Sequence, residues 1–200
     1  MTARIAVLAS GGGTNLQAIL DYFDTLGDTR SGDVVLVASN RKDAYALERA
    51  GQAGIPAVHL ATPADGASLV ELFRTHRIDM VVLAGYLKLI PVAVTEAFRG
   101  RIMNVHPGPL PQFGGAGMYG HHVHAAVLAA GVPSSGVTIH FVDDRYDHGA
   151  VIAHWPVPVM PGDTPDQLAE RVLRVEHVVF PRAVDTLAAL LATSSLPSSS

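Results

Sequence analysis

The sequence predicts an α/β fold: an open, mostly parallel, Rossmann-like sheet flanked by helices. Three observations predict it. Short Val/Ile/Leu runs recur along the chain and read as strands buried on both faces of a sheet. Helical stretches of roughly 10–15 residues alternate with them, the pattern of βαβ units. The first run ends at once in Ser10-Gly11-Gly12-Gly13, the kind of loop that joins strand to helix in such sheets.

Residues 4–9 (RIAVLA) form the first strand. Residues 15–26 have helical spacing, with Leu16, Ile19, Leu20 and Phe23 on one side. A second strand covers 34–38. Residues 43–53 read as a helix with Asp43 near its start and Gly54 just past its end. A third strand (55–60), a third helix (64–76) and a fourth strand (79–84) follow. Residues 101–105 form a fifth strand that enters His106-Pro107. Residues 119–130 suit a helix, and 136–142 and 150–159 suit strands joined by a turn over 143–149. Pro133-Ser134-Ser135 reads as a loop. Residues 164–191 are a long amphipathic helical stretch, and Pro181 inside it predicts a kink or break. No repeat or linker interrupts this order, so 1–192 is expected to be one domain. The Ser/Pro-rich residues 193–200 are expected to be a flexible tail.

Composition narrows the function. The chain has 200 residues, enough for one sizeable α/β core. It contains no cysteine, which excludes disulfides, Cys-zinc sites, iron–sulfur clusters and thiol catalysis. Lys and Arg number 14 against 18 Asp and Glu, so no basic excess points to a nucleic acid or a membrane surface. The apolar run at the start is too short for a signal peptide, and no stretch approaches the roughly 20 apolar residues of a membrane span. These features predict a cytoplasmic enzyme.

Two segments carry chemistry. In Ser10-Gly11-Gly12-Gly13-Thr14-Asn15, successive glycines let backbone N–H groups crowd an anion at a helix N-terminus. No Gly-Lys-Ser/Thr follows, so it is not a Walker A loop. Leu16 stands where a dinucleotide fingerprint needs a small residue, so a single phosphate is the expected cargo. The bland alternative is a tight turn with nothing bound. Asn104-Val105-His106-Pro107 lies where a strand ends, and period two puts Asn104 and His106 on the same side. An amide donor beside an imidazole suits an oxygen that gains negative charge. The turn Asp143–Gly149 supplies aspartates, one of which can reach His106, raise its pKa and orient its ring. An ordinary Asx-rich turn would explain one such aspartate equally well. His121, His122 and His124 lack a neighbouring carboxylate to complete a metal set and read as surface or loop histidines.

Together these segments resemble the folate-dependent formyltransferase family. The anchors are residues 10–18, Asn104-Val105-His106-Pro107, residues 136–143, Asp147-His148-Gly149 and Glu176-His177-Val178-Val179-Phe180-Pro181. The glycine loop and the Glu-His-x-x-Phe-Pro segment are similar to the branch that formylates glycinamide ribonucleotide in purine biosynthesis, or to its close relative, formyltetrahydrofolate deformylase. The resemblance implies that Gly13, Thr14 and Asn15 bind the ribonucleotide phosphate and Glu176 its ribose. Residues 1–100 would then be the ribonucleotide half and 101–192 the catalytic and folate half. It implies that Leu87, Lys88, Leu89 and Ile90 line the pocket for 10-formyltetrahydrofolate, with Asn104, Asp143 and Asp147 also at the folate. Asn104, His106 and Asp147 would be the catalytic trio, with Asp147 holding His106 protonated near neutral pH.

No metal is implied, because the nucleophile is an amine. The partners implied are the two small molecules, with the protein a monomer or homodimer. The chain departs from the family in three places. Residues 61–68 carry no arginine to contact folate, the 114–122 loop is longer than usual, and His148 stands before Gly149. The rival readings are a formyltetrahydrofolate hydrolase, a methionyl-tRNA formyltransferase and a non-catalytic nucleotide-binding module. The first catalytic strand begins at residue 4, so the hydrolase's usual N-terminal domain is expected to be missing. The tRNA enzyme's basic C-terminal extension is likewise expected to be missing.

Overall fold

The computed structural model describes residues 2–194, and the predicted tail beyond 194 lies outside them. Seven strands form one sheet among the described residues: β1 (Ala3–Leu8), β2 (Gly32–Ser39), β3 (Ala57–His59), β4 (Met80–Leu83), β5 (Ile102–His106), β6 (Ser134–Phe141) and β7 (Val151–Pro158). Their order is β3-β2-β1-β4-β5-β6-β7. The first five pair in parallel, whereas β6 runs antiparallel to both β5 and β7. Six α-helices lie among the described residues: α1 (Thr14–Leu26), α2 (Tyr45–Gln52), α3 (Gly66–Thr75), α4 (Val92–Ala97), α5 (His121–Ala129) and α6 (Pro165–Ser194).

The inner strands of the sheet are buried on both faces, and alternation along them divides their residues between two cores. Ile5 and Val7 of β1 pack with Leu16, Ile19, Val127, Leu168, Val172 and Phe180 under α1, α2, α5 and α6. Ala6 and Leu8 pack with Leu69, Phe73, Val94 and Phe98 under α3 and α4. Phe73 and Phe98 meet edge to face at 5.4 Å, an orientation that suits the aromatic quadrupoles.

Strand order reverses between β1 and β4, which opens a crevice beyond their C-terminal ends. The two loops there are tied together. The Ser10 amide donates to the Gly85 carbonyl, and the Ser10 hydroxyl accepts from the Leu87 amide at 2.9 Å.

Several details differ from the sequence reading. The helix α4 and a 3₁₀ turn at Gly27–Thr29 were not predicted, because each is too short to show a period. Ser134 and Ser135 begin β6 instead of lying in a loop, because pairing with Val157 and Pro158 outweighs the turn preference of serine. The helix α6 is unbroken through Pro181, which is buried in its interior. Packing of Phe180, Val184 and Ala188 into the core offsets the one hydrogen bond that proline removes. The helix also runs to Ser194, two residues into the predicted tail. Asp43 lies before α2 and pairs with Arg41 at 3.0 Å instead of starting the helix.

Candidate active site

Asn104 and His106 are the third and last residues of β5 and project from the same face, as period two requires. The antiparallel partner completes the arrangement, since His140 of β6 stands directly across from Asn104. Side chains opposed in this way share a face, so three polar groups meet at one strand end. Asp147 comes from the turn after β6 and brings the only carboxylate paired with His106 among the described residues. Its Oδ2 lies 3.4 Å from His106 Nδ1 and its Oδ1 lies 3.5 Å from His140 Nε2.

Backbone geometry aims that carboxylate. Asp147 itself takes the left-handed conformation, with φ of 54°. Gly149 serves a different purpose: a Cβ there would lie 1.9 Å from the Phe141 carbonyl oxygen, so only glycine lets the turn rejoin the sheet. The Gly115 amide donates to Asp147 Oδ2 at 3.0 Å and fixes it from the other side.

The hydrogen bonds define the imidazole tautomers. His106 Nε2 lies 2.8 Å from the Phe113 carbonyl, which can only accept, so Nε2 carries the proton. Nδ1 then faces Asp147, and a second proton there would complete an ion pair. His140 Nδ1 likewise donates to the Phe141 carbonyl at 2.8 Å, leaving Nε2 to accept from the Asn104 amide at 3.0 Å. His140 thus orients the Asn104 NH₂ group.

Burial decides the charge state at rest. His106 is 3% exposed and Asp147 11%. Burial pushes the His106 pKa below its usual value, and His140 adds to that. Asp147 and the Phe113 carbonyl oppose the shift without overcoming it. This corrects the expectation that Asp147 holds His106 protonated: the resting ring is neutral at pH 7. Burial alone would raise the Asp147 pKa, but the neighbouring His140 and His106 and the Gly115 amide outweigh it. Its carboxyl is held below the usual range and is ionised.

The residues expected at the ribonucleotide gather at the crevice. Gly13 caps α1 at φ of 68°, and a Cβ there would lie 2.8 Å from the Ala46 Cβ. Thr14 and Asn15 start the helix, where amides lack intrahelical acceptors. Asn15 Nδ2 donates to Glu176 Oε2 at 2.6 Å, joining two residues 161 positions apart. The Asn15 Oδ1 is buried without a partner. Glu176 is 6% exposed, and burial pushes its carboxyl up to about 7 despite the Asn15 hydrogen bond. An unpaired acceptor and a carboxyl poised to ionise suit a ligand that brings hydroxyl or amine donors.

The candidate folate residues divide. Leu87, Lys88 and Leu89 are exposed beside the β5 strand end. The Ile90 side chain is buried with Val94 and Phe98 instead, so only its backbone can face a ligand. Asp143 does not join the trio. It pairs with His148 at 2.8 Å and accepts from the Arg145 amide, which stiffens the turn. His121 and His122 are exposed on α5, but His124 is 3% exposed. Burial, with His121 and His106 nearby, lowers its pKa to about 4. This corrects the surface reading of that histidine: helical spacing turns position 124 inward beside Val123 and Val127. Among the described residues, no three His, Asp or Glu side chains are grouped to hold a metal ion.

Sequence reasoning quoted His140 only as part of a motif and gave it no role. The signal that could have found it is the alternation in Gly136–Val142, which places His140 on the same face as Thr138. Its register against Asn104 is set by the antiparallel turn of the chain, which alternation does not report.

Residues 3–184 match the family described as formyl transferase. The chain is 44% identical over 191 residues to the chloroplastic phosphoribosylglycinamide formyltransferase of Arabidopsis thaliana, covering 92% of this chain and 65% of that one. It is 39% identical over 192 residues to the phosphoribosylglycinamide formyltransferase of Escherichia coli, covering 92% and 87%. The chain therefore spans slightly less than two thirds of the Arabidopsis protein and most of the bacterial one. Among solved structures, it is similar to glycinamide ribonucleotide transformylase 1 from Symbiobacterium toebii. The TM-score is 0.85 at 41% identity, over 94% of this chain and 88% of that one.

Proposed function

The chain belongs to the formyl transferase family, and from that premise we propose that it moves the formyl group of 10-formyltetrahydrofolate onto the amine of glycinamide ribonucleotide. The products are formylglycinamide ribonucleotide and tetrahydrofolate, in purine biosynthesis. The observation that carries the reading is the juxtaposition of Asn104, His106 and Asp147 beside a crevice that holds the glycine loop and Glu176. A nucleotide-binding module would use the loop and leave the trio without a purpose.

The chemistry follows from the hydrogen bonds. The substrate amine attacks the formyl carbon, and the carbonyl oxygen becomes an oxyanion. His106 Nε2–H already points at a carbonyl oxygen, that of Phe113, at 2.8 Å. In the proposed reaction the formyl oxygen takes the place of that carbonyl as acceptor. Asn104, oriented by His140, supplies the second donor. Each such donor contributes about 10²–10³ in rate.

The neutral resting state of His106 is compatible with this role. As charge grows on the formyl oxygen at Nε2–H, a second proton on Nδ1 becomes favourable, because the cationic ring then lies between that oxyanion and the Asp147 carboxylate. Asp147 therefore raises the basicity of the ring when it matters. A water held by Asp147 relays the proton from the attacking nitrogen to the departing folate nitrogen.

Gly13, Thr14 and Asn15 hold the phosphate at the start of α1, and Glu176 receives the ribose hydroxyls. Leu87, Lys88, Leu89 and the Ile90 backbone hold the folate, with the Asp143–Asp147 turn closing on its pterin. We assign residues 1–100 to the ribonucleotide half, 101–192 to the catalytic half and the reaction to the cytoplasm. No helix among the described residues is long and apolar enough to cross a membrane.

The test is deformylation of 10-formyltetrahydrofolate followed with and without glycinamide ribonucleotide. Loss of the formyl group that requires the amine supports transfer. Equal loss in its absence, with formate as product, establishes a hydrolase instead.

A further inference from the structure

A groove of about 600 Å³ runs along α1 from Thr14 and Gln17 toward Thr25, with α2 on one side and α6 on the other. Arg49 of α2 stands on its wall where the groove meets the glycine loop. Arg49 Nε donates to the Gly12 carbonyl at 2.8 Å, and its Nη1 donates to Gln17 Oε1 at 3.0 Å. The guanidinium lies over the Tyr45 ring, 4.9 Å from its centroid. The Ala46 amide donates to the preceding loop carbonyl, that of Gly11, at 3.0 Å.

Two consequences follow from these contacts. Both loop carbonyls are tied to α2, which leaves the amides that follow them free to turn toward the start of α1. In addition, Arg49 forms no ion pair and its Nη2 donates to no protein acceptor among the described residues. Arg49 is thus fixed by two hydrogen bonds and an aromatic face against the glycine loop, with Nη2 left for an anion bound there. Arg30, Arg41 and Arg171 each have a carboxylate partner within 3.0 Å, whereas Arg101 also has carbonyl partners and an aromatic face, so what sets Arg49 apart is its bond to the glycine loop itself.

We propose that Arg49 is a further binding residue for the ribonucleotide phosphate: it holds the glycine loop by the Gly12 carbonyl and gives the phosphate dianion its nearest full positive charge. The assignment rests on the proposed function, which places the phosphate on that loop. It also explains how a loop with no lysine of its own holds a doubly charged group. The helix terminus supplies only about half an elementary charge.

The experiment compares two substrates, glycinamide ribonucleotide and the same molecule without its phosphate, on wild type, Arg49→Met and Arg49→Lys. A charged hydrogen bond lost from the phosphate raises KM for the ribonucleotide by about 10- to 100-fold in Arg49→Met. Its kcat and the KM for 10-formyltetrahydrofolate stay within about threefold of wild type. The dephosphorylated substrate should show almost no further loss in Arg49→Met, because the group that Arg49 meets is already gone. Arg49→Lys keeps the charge and should fall between the two, with weaker ionic-strength dependence of KM in Arg49→Met than in either cationic form.

Equal losses on both substrates would overturn the proposal, because they would show that Arg49 serves only the shape of the loop. Should Arg49→Met fail to fold, Arg49→Lys with the two substrates decides the same question. If wild type itself does not distinguish the phosphorylated from the dephosphorylated substrate, the placement of phosphate on the loop fails, whatever Arg49 does.

Discussion

Replacing Asp147 with Asn removes one charge and little else. Asn keeps an oxygen for the Gly115 amide, which now lies 3.0 Å from Asp147 Oδ2, so the turn retains its anchor. What disappears is the negative charge 3.4 Å from His106 Nδ1. At that distance, and with an effective dielectric constant of about 20, the attraction to a protonated ring is about 5 kcal/mol. If half of it is expressed in the transition state, the loss is roughly 60-fold, and the whole would exceed 10³. A fall in kcat of about 10²–10³ is therefore expected at pH 7.5. The sign of the pH effect is also set. Burial already lowers the His106 pKa and Asp147 opposes it, so without Asp147 the ring protonates only at lower pH. Activity that depends on the protonated ring should decline at lower pH in the variant than in wild type. The assay is kcat against pH for Asp147→Asn, Asp143→Asn and Asp144→Asn. Asp143 is engaged with His148, and Asp144 is exposed, so both of those should lose little in kcat. A large loss in Asp144→Asn with Asp147→Asn unimpaired would refute the reasoning.

His106→Ala should lower kcat by at least about 10² while calorimetry shows ribonucleotide binding largely intact, because the proposed mechanism uses His106 at the formyl oxygen and not at the ribonucleotide. Gly13→Val combines a positive φ with a Cβ 2.8 Å from the Ala46 Cβ, so it should raise KM for the ribonucleotide far more than KM for the folate. An equal rise in both would indicate general misfolding instead. Glu176→Gln should change stability in a pH-dependent way. Burial moves this carboxyl from 4.5 to about 7 in the folded state. Folding is therefore unaffected by its charge below pH 4.5 and is increasingly opposed as pH rises through 7, by on the order of 3 kcal/mol. Chemical denaturation at pH 5 and pH 8 should show the variant gaining on wild type as pH rises, and a constant difference would contradict the buried, protonated Glu176.

The fold was largely legible because its inner strands are buried on both faces and its helices are long enough to show a period. The regions that escaped were short or governed by distant packing. The six residues of α4 hold less than two helical turns, and serine at 134 and 135 follows its strand partner against its own preference. Asn104 and His106 could be read from two positions on one strand. Their link to His140 required the register between β5 and β6, which no local pattern encodes. The charge state of His106 was misjudged for a related reason. Proximity to an aspartate can be guessed from a motif, but the burial that outweighs it depends on Phe113 and the segment folded over the ring. Arg49 shows the same limit: nothing in its helix distinguishes it from a solvated arginine until α2 is placed against the glycine loop.

The central claim is that the formyl carbon passes directly from folate nitrogen to the substrate amine. It is tested most directly with 10-formyltetrahydrofolate labelled at the formyl carbon, mixed with enzyme and glycinamide ribonucleotide and followed by carbon NMR. The account predicts that the label moves into the amide of formylglycinamide ribonucleotide in step with the release of tetrahydrofolate, and that both stop in His106→Ala. Label collecting as free formate, at a rate indifferent to the amine, would contradict it.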